Sequence, residues 1–221
     1  AGALMGFINA QVIISCGAMT QAKSVFITFG LSSVYSALAL LYTGGATQHM
    51  SYLNSSVTLY KLMGSGRVGF VSVSFILFLI CMGILYIFLS KTKTGREICL
   101  TGANMTASEL AAIPVKRRVT LIFMLSGVFA ALGAIVLFSR ITTASPLLGA
   151  NYDTNAILAV VVGGTSLVGG RGSVIRTMLG VMLVTLLANC LNLLGVSTYM
   201  QAICKGLVLI VAIWLDRRRV K

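Results

Sequence analysis

Ionisable side chains are scarce in this chain, and acidic ones scarcer still: only 10% of its 221 residues are charged, four are Asp or Glu, and His49 is the single histidine. A soluble domain carries about 25% charged residues, so a water-facing surface of ordinary size cannot be assembled from this composition. The acids Glu97, Glu109, Asp153 and Asp216 all lie at or beyond the ends of apolar runs. Paired carboxylates, a histidine-centred triad, a metal cluster and an intramembrane proton relay therefore lack their parts. The cysteines are odd in number (Cys16, Cys81, Cys99, Cys190, Cys204), and no two fall at metal-ligand spacing. Four of them sit in apolar runs, which predicts reduced, buried thiols acting as small hydrophobes.

What the chain has instead is apolar length. Hydrophobic residues make up 57% of it, and a hydrocarbon core of about 30 Å needs roughly 20 of them in one helix. Residues 70–90 and 119–139 cross with almost no polar content; 25–42, 177–195 and 198–215 are further spans, 1–16 is a partial one, and 154–170 is short and interrupted by Gly163, Gly164, Gly169 and Gly170. The pattern predicts an all-α, polytopic transmembrane helical bundle. No repeat, linker or second soluble domain is visible, so 1–221 reads as one transmembrane domain. The opening AGALMGFINAQVII has neither Met nor a charged leader, and is expected to lie inside a longer chain.

The formal charge of +13 would suggest nucleic acid in a soluble protein, but the cations cluster where apolar runs end. That is the positive-inside pattern, and no basic face interleaved with aromatics is available for phosphates. The polar segment 91–118 holds Lys91, Lys93, Arg96, Lys116, Arg117 and Arg118 near its ends and is expected to be cytoplasmic. The basic tail Arg217, Arg218, Arg219 and Lys221 belongs on the same side. An odd number of crossings must then connect 153 to 216, so 154–170 is expected to traverse, leaving Arg171 and Arg176 inside. Counted the other way, 43–69, with His49, Lys61 and Arg67, is outside and Lys23 is inside. The sum is about seven crossings, with an outside start.

Within 91–118, Thr106 and Glu109 have the T-x-x-E spacing of a capping box, and Pro114 disfavours helix at the residue before it. The spacing predicts a helix of about two turns near 107–113, capped by Thr106 and presenting Leu110 and Ile113 along one side. So short a helix is marginal alone in water. It is either a surface turn on its own protein or a projection packed against something else.

The segment AILAVVVGGTSLVGGRGS fails as a phosphate loop, since the Walker lysine position is Gly170 and no G-x-G-x-x-G register fits. At membrane depth Gly163 and Gly164 permit either close helix packing or a broken helix beside a polar cavity, with Thr165 and Ser166 in the break. Asn189 and Asn192 share a helix face, as do Gln201 and Lys205. A lysine near mid-helix costs about 2.5–3.5 kcal/mol on insertion scales, so Lys205 should face a cavity, a partner or the interface. The asparagines serve as interhelical glue or as ligands, and Asn9 and Gln11 carry the same ambiguity.

Three stretches together resemble the ribose-type permeases of ATP-binding-cassette importers: TGREICLTGANMTASELAAIPV, NAILAVVVGGTSLVGGRGSV and NCLNLLGVSTYMQAICKGLVLIVAIWLD. The resemblance runs across nearly the whole chain. There are departures: Ala103 stands where a second glycine is usual, Ala112 replaces a common glycine, and Asp153-Thr154-Asn155 replaces a more acidic triplet. The resemblance implies a permease subunit for a small, ribose-like sugar in the bacterial inner membrane, multi-pass with a cytoplasmic C-terminus. It implies ten spans in the intact protein, of which seven are here. It also implies partners: a second permease subunit, identical or not, two cytosolic ATP-binding subunits, and a periplasmic or extracellular solute-binding protein. Membrane lipid surrounds the whole, and no nucleic acid is involved.

On that resemblance the chain is not an enzyme and holds no cofactor, ATP and Mg belonging to the partner subunits. Gly95, Arg96, Gly102, Asn104, Thr106, Glu109, Leu110 and Ile113 would couple to the ATPase. Gly163, Gly164, Thr165, Asn189, Asn192, Gln201 and Lys205 would border the translocation pathway. The competing expectations are a permease for branched-chain amino acids or another small solute on a similar scaffold, and a seven-span receptor.

Overall fold

A computed structural model describes residues 1–17, 21–49, 64–69, 71–166, 169–170 and 172–219. Helices dominate: α1 (Gly2–Ser15), α2 (Gln21–Thr43), α3 (Val73–Lys91), α4 (Lys93–Ala103), α5 (Met105–Leu110), α6 (Val115–Ile141), α7 (Tyr152–Val162), α8 (Val174–Leu193) and α9 (Thr198–Arg219). The strands are two residues each: β1 (Gln48–His49), β2 (Arg67–Val68), β3 (Val71–Ser72) and β4 (Thr143–Ala144). Among the described residues four helices are long and apolar enough to cross a membrane (Lys23–Thr43, α3, α6 and α8), and Gly2–Ser15, Tyr152–Val162 and Thr198–Trp214 are shorter apolar helices. Each falls on a run that the apolar pattern singled out. The calls on Lys61, Arg171 and Lys221 lie outside the described residues.

The chain divides into two compact units, Ala1–Gly83 with Ser108–Leu148, and Ile84–Ala107 with Gly149–Lys221. In the first, α1 packs antiparallel on α6 through bare backbone. A Cβ at Gly6 would lie 2.1 Å from the Phe123 carbonyl oxygen, and one at Gly127 would lie 2.2 Å from that of Gly2. Small residues let helices approach this closely where lipid is the solvent. Ala10 and Ile13 are fully buried further along α1, and the Tyr35 hydroxyl donates to Asn9 Oδ1 at 3.0 Å, tying α2 to α1. Asn9 is thus glue between helices. β1 pairs antiparallel with β4, Gln48 opposite Ala144 and His49 opposite Thr143. That pairing brings the C-terminal ends of α2 and α6 to one side.

In the second unit the core is Leu158, Ala159 and Val184, with Val162, Val181, Val208 and Leu209 packed on it. The same residues therefore hold α7, α8 and α9 together. Of the segment 154–170, expected to traverse, the helical part is α7, which stops at Val162. At 1.5 Å per residue it is about 16 Å long, half the hydrocarbon thickness. The stop is chemical. Gly164 has φ +78, its N–H donates to the Val161 carbonyl at 2.8 Å and the Thr165 N–H reaches the Val160 carbonyl at 3.2 Å, the two bonds of a Schellman turn.

The cysteines are free thiols, but they are not buried: Cys16, Cys99 and Cys190 are exposed, Cys81 and Cys204 intermediate. Cys81, Cys190 and Cys204 sit in the apolar helices α3, α8 and α9, where a position outside the protein core suits contact with lipid.

Candidate functional site

The polar segment proves largely helical, with two helices where the spacing predicted one. Thr92 makes the first corner. Its hydroxyl donates to the Phe88 carbonyl at 2.6 Å, in the last turn of α3, and accepts from the Gly95 N–H at 3.0 Å, in the first turn of α4. Gly95 is buried there, and a Cβ on it would lie 2.4 Å from the Phe88 carbonyl oxygen. Only glycine allows so sharp a junction. Arg96 points outward, exposed, while Thr101 is buried with its hydroxyl donating to the Glu97 carbonyl.

At the end of α4, Gly102 and Ala103 lie against the glycine-rich segment that follows α7. A Cβ on Gly170 would lie 2.6 Å from both Cα and Cβ of Ala103, and one on Gly102 would lie 3.3 Å from the Gly170 nitrogen. Ala103 fits where a second glycine is usual because position 170 has no side chain. Gly170 also has φ +72, so glycine is required there twice over.

The short helix α5 spans Met105–Leu110 rather than 107–113, and its cap is not Thr106. Asn104 Oδ1 accepts the Ala107 N–H at 3.0 Å, the N-cap to N3 bond; Thr106 lies inside the first turn. Asn and Thr both cap, and the spacing to Glu109 favoured the wrong one. The far end closes by a second Schellman turn: Ala112 N–H to the Glu109 carbonyl and Ile113 N–H to the Ser108 carbonyl, both 3.0 Å. Ala112 takes φ +58, the left-handed conformation that normally demands glycine. Pro114 is not the terminator. It forms a tight turn (φ −75, ψ 75) in which the Val115 N–H returns to the Ile113 carbonyl at 2.8 Å, and α6 begins there. Ile113 therefore lies beyond the helix and does not share a face with Leu110. Glu109 is exposed and Leu110 is 86% exposed, a large apolar side chain held out on a doubly closed turn.

The intramembrane set separates by partner. Gly163 is a packing residue: a Cβ there would lie 2.6 Å from the Arg176 carbonyl oxygen. Gly180, which sequence reading missed, faces it across the seam, with its Cβ position 2.1 Å from the Ala159 carbonyl oxygen. Gly180 sits in a seemingly ordinary span, and no local signal marks it. Gly164 supplies the turn. Thr165 and Thr177 share a hydroxyl hydrogen bond of 3.2 Å. Gln201 is 8% exposed, and its amide donates to Asn192 Oδ1 at 3.1 Å and to the Val196 carbonyl at 2.9 Å, locking the turn between α8 and α9. Asn189, exposed, and Lys205, half-buried, make no polar side-chain bond among the described residues. No group of three or more His, Cys, Asp or Glu that could hold a metal occurs among the described residues.

Residues 1–213 match the family model described as branched-chain amino acid transport system / permease component. The chain belongs to this permease family. It is 37% identical over 192 residues to the ribose import permease protein RbsC of Bacillus subtilis, covering 87% of this chain and 59% of that one. To the ribose import permease protein RbsC of Haemophilus influenzae it is 34% identical over 215 residues, 97% of this chain and 65% of the other. To the autoinducer 2 import system permease protein LsrD of Photorhabdus laumondii it is 35% identical over 214 residues, 96% and 63%. The chain thus spans about three-fifths to two-thirds of the length of these relatives. No solved structure matches it. As a member of this permease family with four helices among the described residues fit to cross a bilayer, it is a multi-pass membrane protein.

Proposed function

We propose that the chain is the membrane-spanning part of an ATP-driven importer of a small sugar, forming one permease domain over 1–221 with about seven crossings and a cytoplasmic C-terminus. A second permease subunit, two ATP-binding subunits and an external solute-binding protein complete it. The relatives named for ribose import support the cargo class. Branched-chain amino acids compete as cargo through the family's description alone.

The observation that carries the reading is α5, capped at both ends with Leu110 held into solvent. Leu110 lies in the polar segment rather than in an apolar span, where lipid does not account for an exposed leucine, and we assign its partner as the ATP-binding subunit, contacted by Glu109, Leu110 and the neighbouring Asn104, Thr106 and Ile113. Gly95, Arg96 and Gly102 carry the corner behind it. Asn189 and Lys205 face the pathway, whose wall is built by Gly163, Gly164, Thr165, Asn192 and Gln201. Glu109→Ala with Leu110→Ala in the intact protein, reconstituted with its ATPase and binding protein, should abolish uptake of labelled substrate while ATP hydrolysis continues. Undiminished uptake would refute the assignment. The same vesicles offered labelled sugars and branched-chain amino acids decide the cargo.

A further inference from the structure

Between α1 and α6 lies a groove of about 690 Å³ whose lining changes character along its length. One end carries Lys116 and Arg117, with Gln11 and Thr120 beside them; the remainder is apolar, reaching Met124 and Val128. Lys116 and Arg117 are exposed and, among the described residues, have no ion-pair partner. From Lys116 to Val128 is about 18 Å along the helix axis, close to the 15 Å depth of one leaflet. Two unpaired cations at the polar end of a leaflet-deep apolar trough match one ligand chemistry: a headgroup phosphate over an acyl chain.

We propose that this groove binds an anionic glycerophospholipid, its phosphate at Lys116 and Arg117, its glycerol and ester oxygens near Gln11 and Thr120, and one acyl chain along Leu121, Met124 and Val128. Gly2 and Gly6 bring α1 against α6, and the groove runs alongside that contact from Ala3 to Ile14 on α1. Basic pockets between transmembrane helices hold anionic headgroups for the same reason. This inference concerns a lipid site and does not depend on the cargo or the coupling partner.

The test uses the full-length permease in a neutral detergent, titrated with phosphatidylglycerol, phosphatidylcholine or inorganic phosphate and read by native mass spectrometry. Phosphatidylglycerol should be retained over phosphatidylcholine, and free phosphate should not displace it. Each basic residue near an anionic lipid contributes about 1 kcal/mol, so Lys116→Gln with Arg117→Gln should weaken retention about 30-fold. Lys23→Gln, a like charge change outside the groove, should leave retention intact and show that the fold tolerates such a loss. Equal retention of phosphatidylcholine, displacement by phosphate, or unaltered binding in the double variant would overturn the proposal. So would failure of a thiol reagent to reach Thr120→Cys in delipidated protein whose five native cysteines are replaced by serine or alanine, since that would mean a protein segment fills the groove.

Discussion

The α5 turn and the α7–α8 seam are both short structures closed by Schellman turns, yet they spend their small residues oppositely. At the seam, glycine is required by a neighbour: Gly163 and Gly180 have another helix's carbonyl where a Cβ would go. At α5 the pressure is only conformational. Ala112 occupies a left-handed position with no neighbour demanding it, and the turn holds because Asn104 caps the other end. A seam fixed by packing tolerates no added atom, whereas a hook fixed by local hydrogen bonds can be tuned residue by residue.

That contrast can be broken most forcefully at Gly180. Gly180→Ala inserts a methyl against the Ala159 backbone, and overpacking of this kind costs about 1–3 kcal/mol, a drop in thermal midpoint of several degrees in detergent. Gly133, with open space at its Cβ position, is the control, where alanine should be neutral or stabilise by up to about 1 kcal/mol. If both substitutions shift the midpoint alike, close packing is not what Gly180 serves. Next comes Asn104→Ala, which removes the cap of α5 at about 1 kcal/mol and should raise amide exchange at Ala107 and its neighbours. Ala112→Gly runs the other way. Relieving the left-handed alanine should slow exchange across 108–113, stabilising by about 1 kcal/mol. The smallest effect belongs to Thr106→Ala, within about 0.5 kcal/mol; a loss matching that of Asn104→Ala would restore Thr106 as the cap.

Much of the scaffold could be read from the chain because apolar run length is a linear property. The spans at 25–42, 70–90, 119–139, 177–195 and 198–215 match α2, α3, α6, α8 and α9 within a few residues. The candidate site was less legible. That a short helix lies within 91–118 followed from its turn residues, but its cap depended on whether Asn104 or Thr106 adopted the extended backbone, a choice made by how α4 ends. Helix α4 itself was missed, since KTGREICLTGA has no apolar run and its start depends on Thr92 bridging two helices.

Composition and the placement of the apolar runs therefore determined that this protein lives in a bilayer and where its cations gather. Each follows from counting and position along the chain. Tertiary structure decided which glycines pack, that Gln201 locks the turn of α8 into α9, and that two cations flank an open trough. Those outcomes depend on which backbones approach within a few ångströms, and residues distant in sequence do not announce that they will meet.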